Sequence, residues 1–206
     1  MSTALLPPVL LVHGIWDTGA ELATLRRVIE ARGREVDTID LVPNDGRAPI
    51  RALAAQVAER VEVLRARSRS ARVDLVGFSM GALVSRTYIQ RHGGRETVRR
   101  FVSISGPHAG TLDAHVLPFE GARDMRPGSE LLRDLASDAD PWGEVEVHVL
   151  YTPLDLMIVP PRSSELAGAR STTRLALPLH RLMILAPRAT RVVADLLSAD
   201  AAGAAR

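Results

Sequence analysis

Gly77-Phe78-Ser79-Met80-Gly81 sets a serine between two glycines, and its chemistry depends on what flanks it. An apolar run over residues 73–76 leads in, and helix-forming residues 82–90 lead out, so Ser79 falls on a sharp strand-to-helix turn. Such a turn forces the serine backbone into an unusual conformation and leaves no room for side chains at the flanking positions, which glycine satisfies. A hydroxyl held up on this turn is placed as a nucleophile, but near neutral pH it is a poor one. It needs a base, usually histidine, and that histidine needs a carboxylate to hold its tautomer and stabilise its charged form.

On this kind of turn the partners follow the serine in the order acid, then histidine. Asp155 comes directly after a predicted strand, in Tyr-Thr-Pro-Leu-Asp, among apolar neighbours that would bury it and strengthen its bond to an imidazole. Asp124, Asp134, Asp138 and Asp140 fall in an irregular segment instead. His180 is the only histidine beyond Asp155, whereas His108 and His115 precede the acid and would break the order. His108 is therefore read as loop structure, and His148, between Val147 and Val149, as a packed or sheet-edge side chain. Acyl transfer also needs donors for the developing oxyanion. The Met80 N–H at the start of the helix is one, where the helix dipole favours negative charge. The loop His13-Gly14-Ile15 after the first strand supplies the other, with the Ile15 N–H as the candidate.

The elements that must position these groups alternate. Short apolar strands are predicted over residues 8–13, 35–42, 73–77, 98–105, 145–151 and 174–177. Helical spacing covers 20–32, stopped by Gly33, then 49–67, 82–90 and 187–197, with the Ala-rich tail from Ser198 expected to fray. Strands separated by single helices pair in parallel through right-handed crossovers, which buries the sheet on both faces. Ligands then bind at the carboxyl ends of the strands, where His13, Ser79, His108, Asp155 and His180 all lie. Residues 112–143 break the alternation through Pro118, Gly121, Pro127, Gly128 and Pro141. Only 129–137 there reads as helical, with Ser129 as N-cap, and the segment is expected to be a short lid-like excursion from a single domain over 1–206.

Composition excludes several classes of function. With 46% apolar and 24% charged residues the chain suits one globular core, and without Cys it has no disulfide framework, thiol nucleophile or cysteine metal site. All 26 basic residues are Arg, yet the net charge is only +2 and aromatic content is 3%, so no nucleic-acid partner is expected. The patch Arg65, Arg67, Arg69 and Arg72 reads as a solvated helix end. The histidines lack metal-ligand spacing, and there is no phosphate loop or dinucleotide fingerprint, so no metal or cofactor is expected. No basic, apolar leader opens the chain and no apolar run approaches the 18 or so residues of a membrane span. A cytoplasmic location follows as an expectation, with any lipid contact peripheral; oligomeric state is open.

VLLVHGIWDTG, VDLVGFSMGALVSR, SISGPHAGT, MRPGSELLRDL and TPLDLMIVPP together resemble segments of bacterial triacylglycerol lipases and esterases of the α/β-hydrolase superfamily, over most of the chain. The resemblance implies a compact α/β-hydrolase fold of about six mostly parallel strands with helices on both faces. It also implies a Ser79, Asp155, His180 triad with an oxyanion hole from Ile15 and Met80, in agreement with the residues read above. The activity expected is carboxylic-ester hydrolysis through an acyl-enzyme on Ser79, acting on a small acyl ester or lipid. Short to medium acyl chains are favoured, because the excursion carries several charges and is no full-sized lid. The alternatives are a thioesterase, lactonase or acyltransferase with the same triad, or an inactive binding protein on this fold.

Overall fold

Six short runs become strands: β1 (Val9–Val12), β2 (Val36–Ile39), β3 (Val73–Phe78), β4 (Val98–Ile104), β5 (Glu146–Tyr151) and β6 (Ser171–Arg174). The structure, a computed structural model, describes residues 6–198. Residues 199–206 of the tail expected to fray lie outside it, as does the start of the N-terminus. The strands form one sheet in the order β2-β1-β3-β4-β5-β6, with every neighbouring pair parallel. This is the α/β architecture expected.

Side chains alternate across a strand, and two cores follow from that period. Leu10, Val12, Leu75 and Phe101 pack on one face against α2 (Ile50–Ser68) and α3 (Met80–Arg91), through Leu53, Val57, Val61, Leu83 and Tyr88 among others. Val9, Leu11, Val76, Phe78, Val102 and Ile104 pack on the other. There they meet α1 (Ala23–Glu30), α7 (Leu182–Leu185) and α8 (Pro187–Ser198) through Leu25, Ile29, Met183, Ile184 and Val193. At the amino ends of the strands Asp74 of β3 is fully buried and paired with Arg34 at 2.5 Å and Arg99 at 2.6 Å.

Three elements depart from expectation. The last strand is β6 at Ser171–Arg174, not 174–177. Its residues alternate between half-buried and exposed at the sheet edge, so an apolar run does not mark it. The first helix opens with a 3-10 turn, Gly19–Leu22, because Thr18 and Glu21 form a capping box that fixes that turn. The excursion holds more helix than its prolines suggest: a 3-10 turn at Leu112–His115, α5 (Glu120–Asp124) and α6 (Glu130–Ala136), after the short α4 (Gly94–Thr97). Ser129 does cap α6, accepting from the Leu132 N–H at 3.2 Å. The segment is tied to the body: Leu131, Leu132 and Leu135 are buried, Asp124 accepts from the Ile50 N–H at 2.9 Å, and Asp134 pairs with Arg51 and Arg91.

Among the described residues no helix is long and apolar enough to cross a membrane. In the basic patch Arg65 pairs with Glu62, Arg67 with Glu35 and Asp37, and Arg72 with Glu144.

Candidate active site

Between β3 and α3 the chain turns at Ser79 with φ 55° and ψ −125°, a left-handed conformation that non-glycine residues rarely hold. The turn persists because both flanking positions lack side chains. A Cβ on Gly77 would lie 2.6 Å from Ala82 Cα, and one on Gly81 would lie 2.5 Å from the Val12 carbonyl oxygen. Gly14 faces the turn from β1, where an added Cβ would meet Ser79 Cβ at 3.0 Å. Three glycines thus let the β1 loop press against the serine.

Asp155 follows β5 in a tight bend and is 3% exposed. Its Oδ1 accepts the Met157 and Ile158 N–H groups at 2.9 and 3.1 Å, and its Oδ2 accepts from His180 Nδ1 at 2.7 Å. Burial opposes ionisation of this carboxyl, but the His180 hydrogen bond and charge, with the two backbone donors, outweigh it and hold the group below the ordinary carboxylate range. Because Nδ1 donates to Asp155, Nε2 is the acceptor end of the His180 ring, and it is buried without a partner. The ring packs against Phe78 with centroids 4.8 Å apart. His180 and Ser79 line one cavity.

Ile15 and Met80, the two backbone donors named from the sequence, line one cavity with Ser79. In the β1 loop the Trp16 N–H donates to the Asn44 carbonyl at 2.8 Å and the Asp17 N–H to the Gly14 carbonyl at 3.3 Å, whereas the Ile15 N–H bonds to no group among the described residues. Met80 opens α3, so its N–H has no acceptor one turn back. His13 shapes this loop without facing Ser79. It donates from Nδ1 to the Gly14 carbonyl at 2.8 Å and accepts the Leu41 N–H at Nε2 at 2.9 Å. That use of both nitrogens was not legible from sequence, since it joins His13 to a residue beyond β2.

The space around Ser79 divides in two. One arm, of about 60 Å³, is lined by Ile15, Met80, Ala122, Met125 and Ile158, with Pro107 and Thr111 from the loop after β4. The other runs past Phe78 and His180 to Asp17 and Arg181, which form an ion pair at 3.0 Å. Asp17 and Arg181 were not singled out from the sequence, and because they lie 164 positions apart no local pattern points to the pair. Thr111 ties the two loops that wall the first arm: its Oγ1 donates to the Met157 carbonyl and accepts the Val159 N–H, each at 2.9 Å.

The other histidines lie elsewhere. His115 bonds the Leu112 carbonyl on the surface, and His148 bonds Ser171 at the β5–β6 edge. His108 is buried with Nε2 2.7 Å from Ser103 Oγ. Among the described residues no group of three or more His, Asp or Glu could hold a metal ion.

Comparison with known proteins now bears on this geometry. The family model described as palmitoyl protein thioesterase matches residues 8–154, from β1 to the approach to Asp155. The chain belongs to the palmitoyl protein thioesterase family. A curated relative, palmitoyl-protein thioesterase 3 of Dictyostelium discoideum, is 26% identical over 106 residues, 50% of this chain. That match spans 36% of the relative's own length. Solved structures share the fold of this family member. Bacillus licheniformis lipase BlEst2 in its mature form superimposes with a TM-score of 0.79 at 15% identity, over 96% of this chain and 94% of the other. Aspergillus fumigatus lipase B gives 0.79 at 17% identity, over 96% and 55%. The thioesterase domain from the curacin biosynthetic pathway gives 0.62 at 15% identity, over 93% and 91%. The thioesterase family member thus has the α/β-hydrolase fold that the motif resemblance implied. The matched family carries the thioester name that stood among the alternatives.

Proposed function

We propose that the protein hydrolyses carboxylic esters and thioesters through an acyl-enzyme on Ser79, with His180 as base and acid and Asp155 as its orienting partner. The observation that carries this reading is the 2.7 Å bond from His180 Nδ1 to a buried Asp155, which leaves Nε2 as an unpartnered acceptor in the cavity of Ser79. In acylation the Ser79 oxygen attacks the acyl carbonyl as its proton passes to Nε2, and the oxyanion takes hydrogen bonds from the Ile15 and Met80 N–H groups. Collapse returns the proton from Nε2 to the departing alcohol or thiol. In deacylation a water gives its proton to Nε2 and attacks the acyl carbon; collapse breaks the bond to Ser79 Oγ, which takes the proton back from Nε2, and frees the carboxylic acid.

The leaving group must lie where His180 can protonate it, which assigns it to the arm that ends at Asp17 and Arg181. The acyl chain then takes the apolar arm, whose wall includes the excursion at 112–143 through Ala122 and Met125. At about 60 Å³ this arm accommodates on the order of four to six water-sized groups, which supports a preference for short to medium acyl chains.

Family membership favours thioesters over oxygen esters as the natural class, and the same residues serve both. Matched oxygen-ester and thioester series of increasing acyl length test both points. The expected kcat/KM peaks at short to medium chains in each series, and the thioester series is the faster. A maximum at long chains overturns the assignment of the apolar arm as the whole acyl site. Activity in neither series overturns the function.

A further inference from the structure

A further cavity, of about 250 Å³, is lined by none of the residues assigned to the reaction and takes in Arg86 of α3. Arg86 lines it together with His108, Leu135, Ala136, Trp142 and Leu166. Arg86 is 6% exposed, and its partners are neutral: Nε donates to Gln90 Oε1 at 2.7 Å and Nη1 to the His108 carbonyl at 3.0 Å. Among the described residues no carboxylate forms an ion pair or hydrogen bond with it. Burial, then the neighbouring charge of Arg91, pulls its pKa down to about 10 against a weaker opposing pull from the Asp138 carboxylate, so it remains a cation at neutral pH.

Two carboxylates line the same cavity, and both are committed elsewhere. Asp138 accepts from Arg91 at 2.7 Å, from Gln90 at 3.2 Å and from Arg95. Glu165 accepts from the Tyr151 hydroxyl at 2.6 Å and from Arg174 at 2.9 Å. A buried cation with no carboxylate in direct contact is costly, because neutral hydrogen bonds do not replace lost hydration. His108, on the same wall, has its Nδ1 buried and without a hydrogen-bond partner among the described residues.

We propose that this cavity binds a small organic carboxylate, whose anion supplies the missing counter-charge to Arg86 and whose hydrocarbon part lies against Leu135, Trp142 and Leu166. The class follows from the lining. A planar carboxylate suits a guanidinium edge, and apolar walls around one charged anchor suit a short hydrocarbon tail better than a fully hydrated inorganic anion. The inference rests on no role for Ser79.

The chain has two tryptophans, so Trp16→Phe leaves Trp142 as a reporter inside this cavity. Titrating that protein with hexanoate at constant ionic strength should give a saturable change in Trp142 emission, with acetate weaker and inorganic phosphate weaker still. Ala136→Glu places a carboxylate at the exposed rim and should raise the Kd about tenfold or more, as should Arg86→Met. Ser79→Ala in the same background should leave the Kd unchanged. Four results overturn the proposal: no saturable change, a phosphate response equal to that of hexanoate, an unaltered Kd in folded Ala136→Glu, or a response lost with Ser79→Ala. If Arg86→Met does not fold, Ala136→Glu decides.

Discussion

At the scale of single residues, the candidate site is a set of hydrogen bonds that leaves three groups unspent: His180 Nε2, the Ile15 N–H and the Met80 N–H. Ser79→Ala removes the proposed nucleophile, and kcat on a p-nitrophenyl ester should fall by roughly 10⁴ or more. Asp155→Asn should cost somewhat less, since the amide presents a different hydrogen-bonding face to Nδ1 and disturbs the tautomer. The same carboxylate has a pH signature in stability. Its folded-state pKa lies below the ordinary 3.8, so its stabilising effect is fully present above that value and is lost as pH falls through the lower, folded value. Urea unfolding of wild type and Asp155→Asn should therefore differ most above about pH 4 and converge in stronger acid. Ser79 and Asp155 were readable as candidates because each follows a strand end, and His180 because no other histidine comes after Asp155. Asp17 with Arg181, His13 with Leu41, and Arg86 with His108 were not, because each pair joins distant segments and leaves no spacing to detect.

At the scale of elements, the turn from β3 to α3 is held by absent side chains, so a methyl group is a severe change. Gly81→Ala puts a Cβ against the Val12 and His13 carbonyl oxygens, which are backbone atoms that cannot swing aside. It should destabilise the fold by about 3 kcal/mol or more in urea unfolding and cut activity in whatever protein still folds, since the β1 loop carries Ile15. Asp74 tests the opposite end of the same strands. Asp74→Ala leaves Arg34 buried without its counter-charge and should cost about 3–5 kcal/mol in urea unfolding, with kcat of the remaining folded enzyme little changed. Element by element, β1, β3, β4 and β5 were legible as apolar runs because a sheet buried on both faces demands them. β6 was misplaced because an edge strand of alternating exposure, Ser171–Arg174, carries polar residues, whereas the apolar residues lie after it. α5 was missed because five residues between Pro118 and Pro127 are too few to show a helical period.

At the scale of the whole molecule, burial sets how stability responds to acid. His108 lies well below the ordinary 6.5, chiefly through burial and then through the charge of Arg86, and burial first also lowers His92 and His148. The unfolded chain therefore takes up these protons first, and stability should be full above about pH 6.5 and decline as pH falls below it. A thermal melt series should show Tm falling between pH 6.5 and 5, before the carboxylates titrate; a flat Tm over that interval contradicts buried, neutral histidines. Fold class was legible at this scale because alternating strands and helices admit few topologies, whereas the two arms of the cavity come from loops that only the folded sheet brings together. The most direct measurement is the intact mass of the protein after reaction with a fluorophosphonate, followed by peptide mapping. One adduct per chain at Ser79, strongly slowed in His180→Ala, is the predicted result; no adduct, or an adduct on another residue, contradicts a serine nucleophile activated by His180.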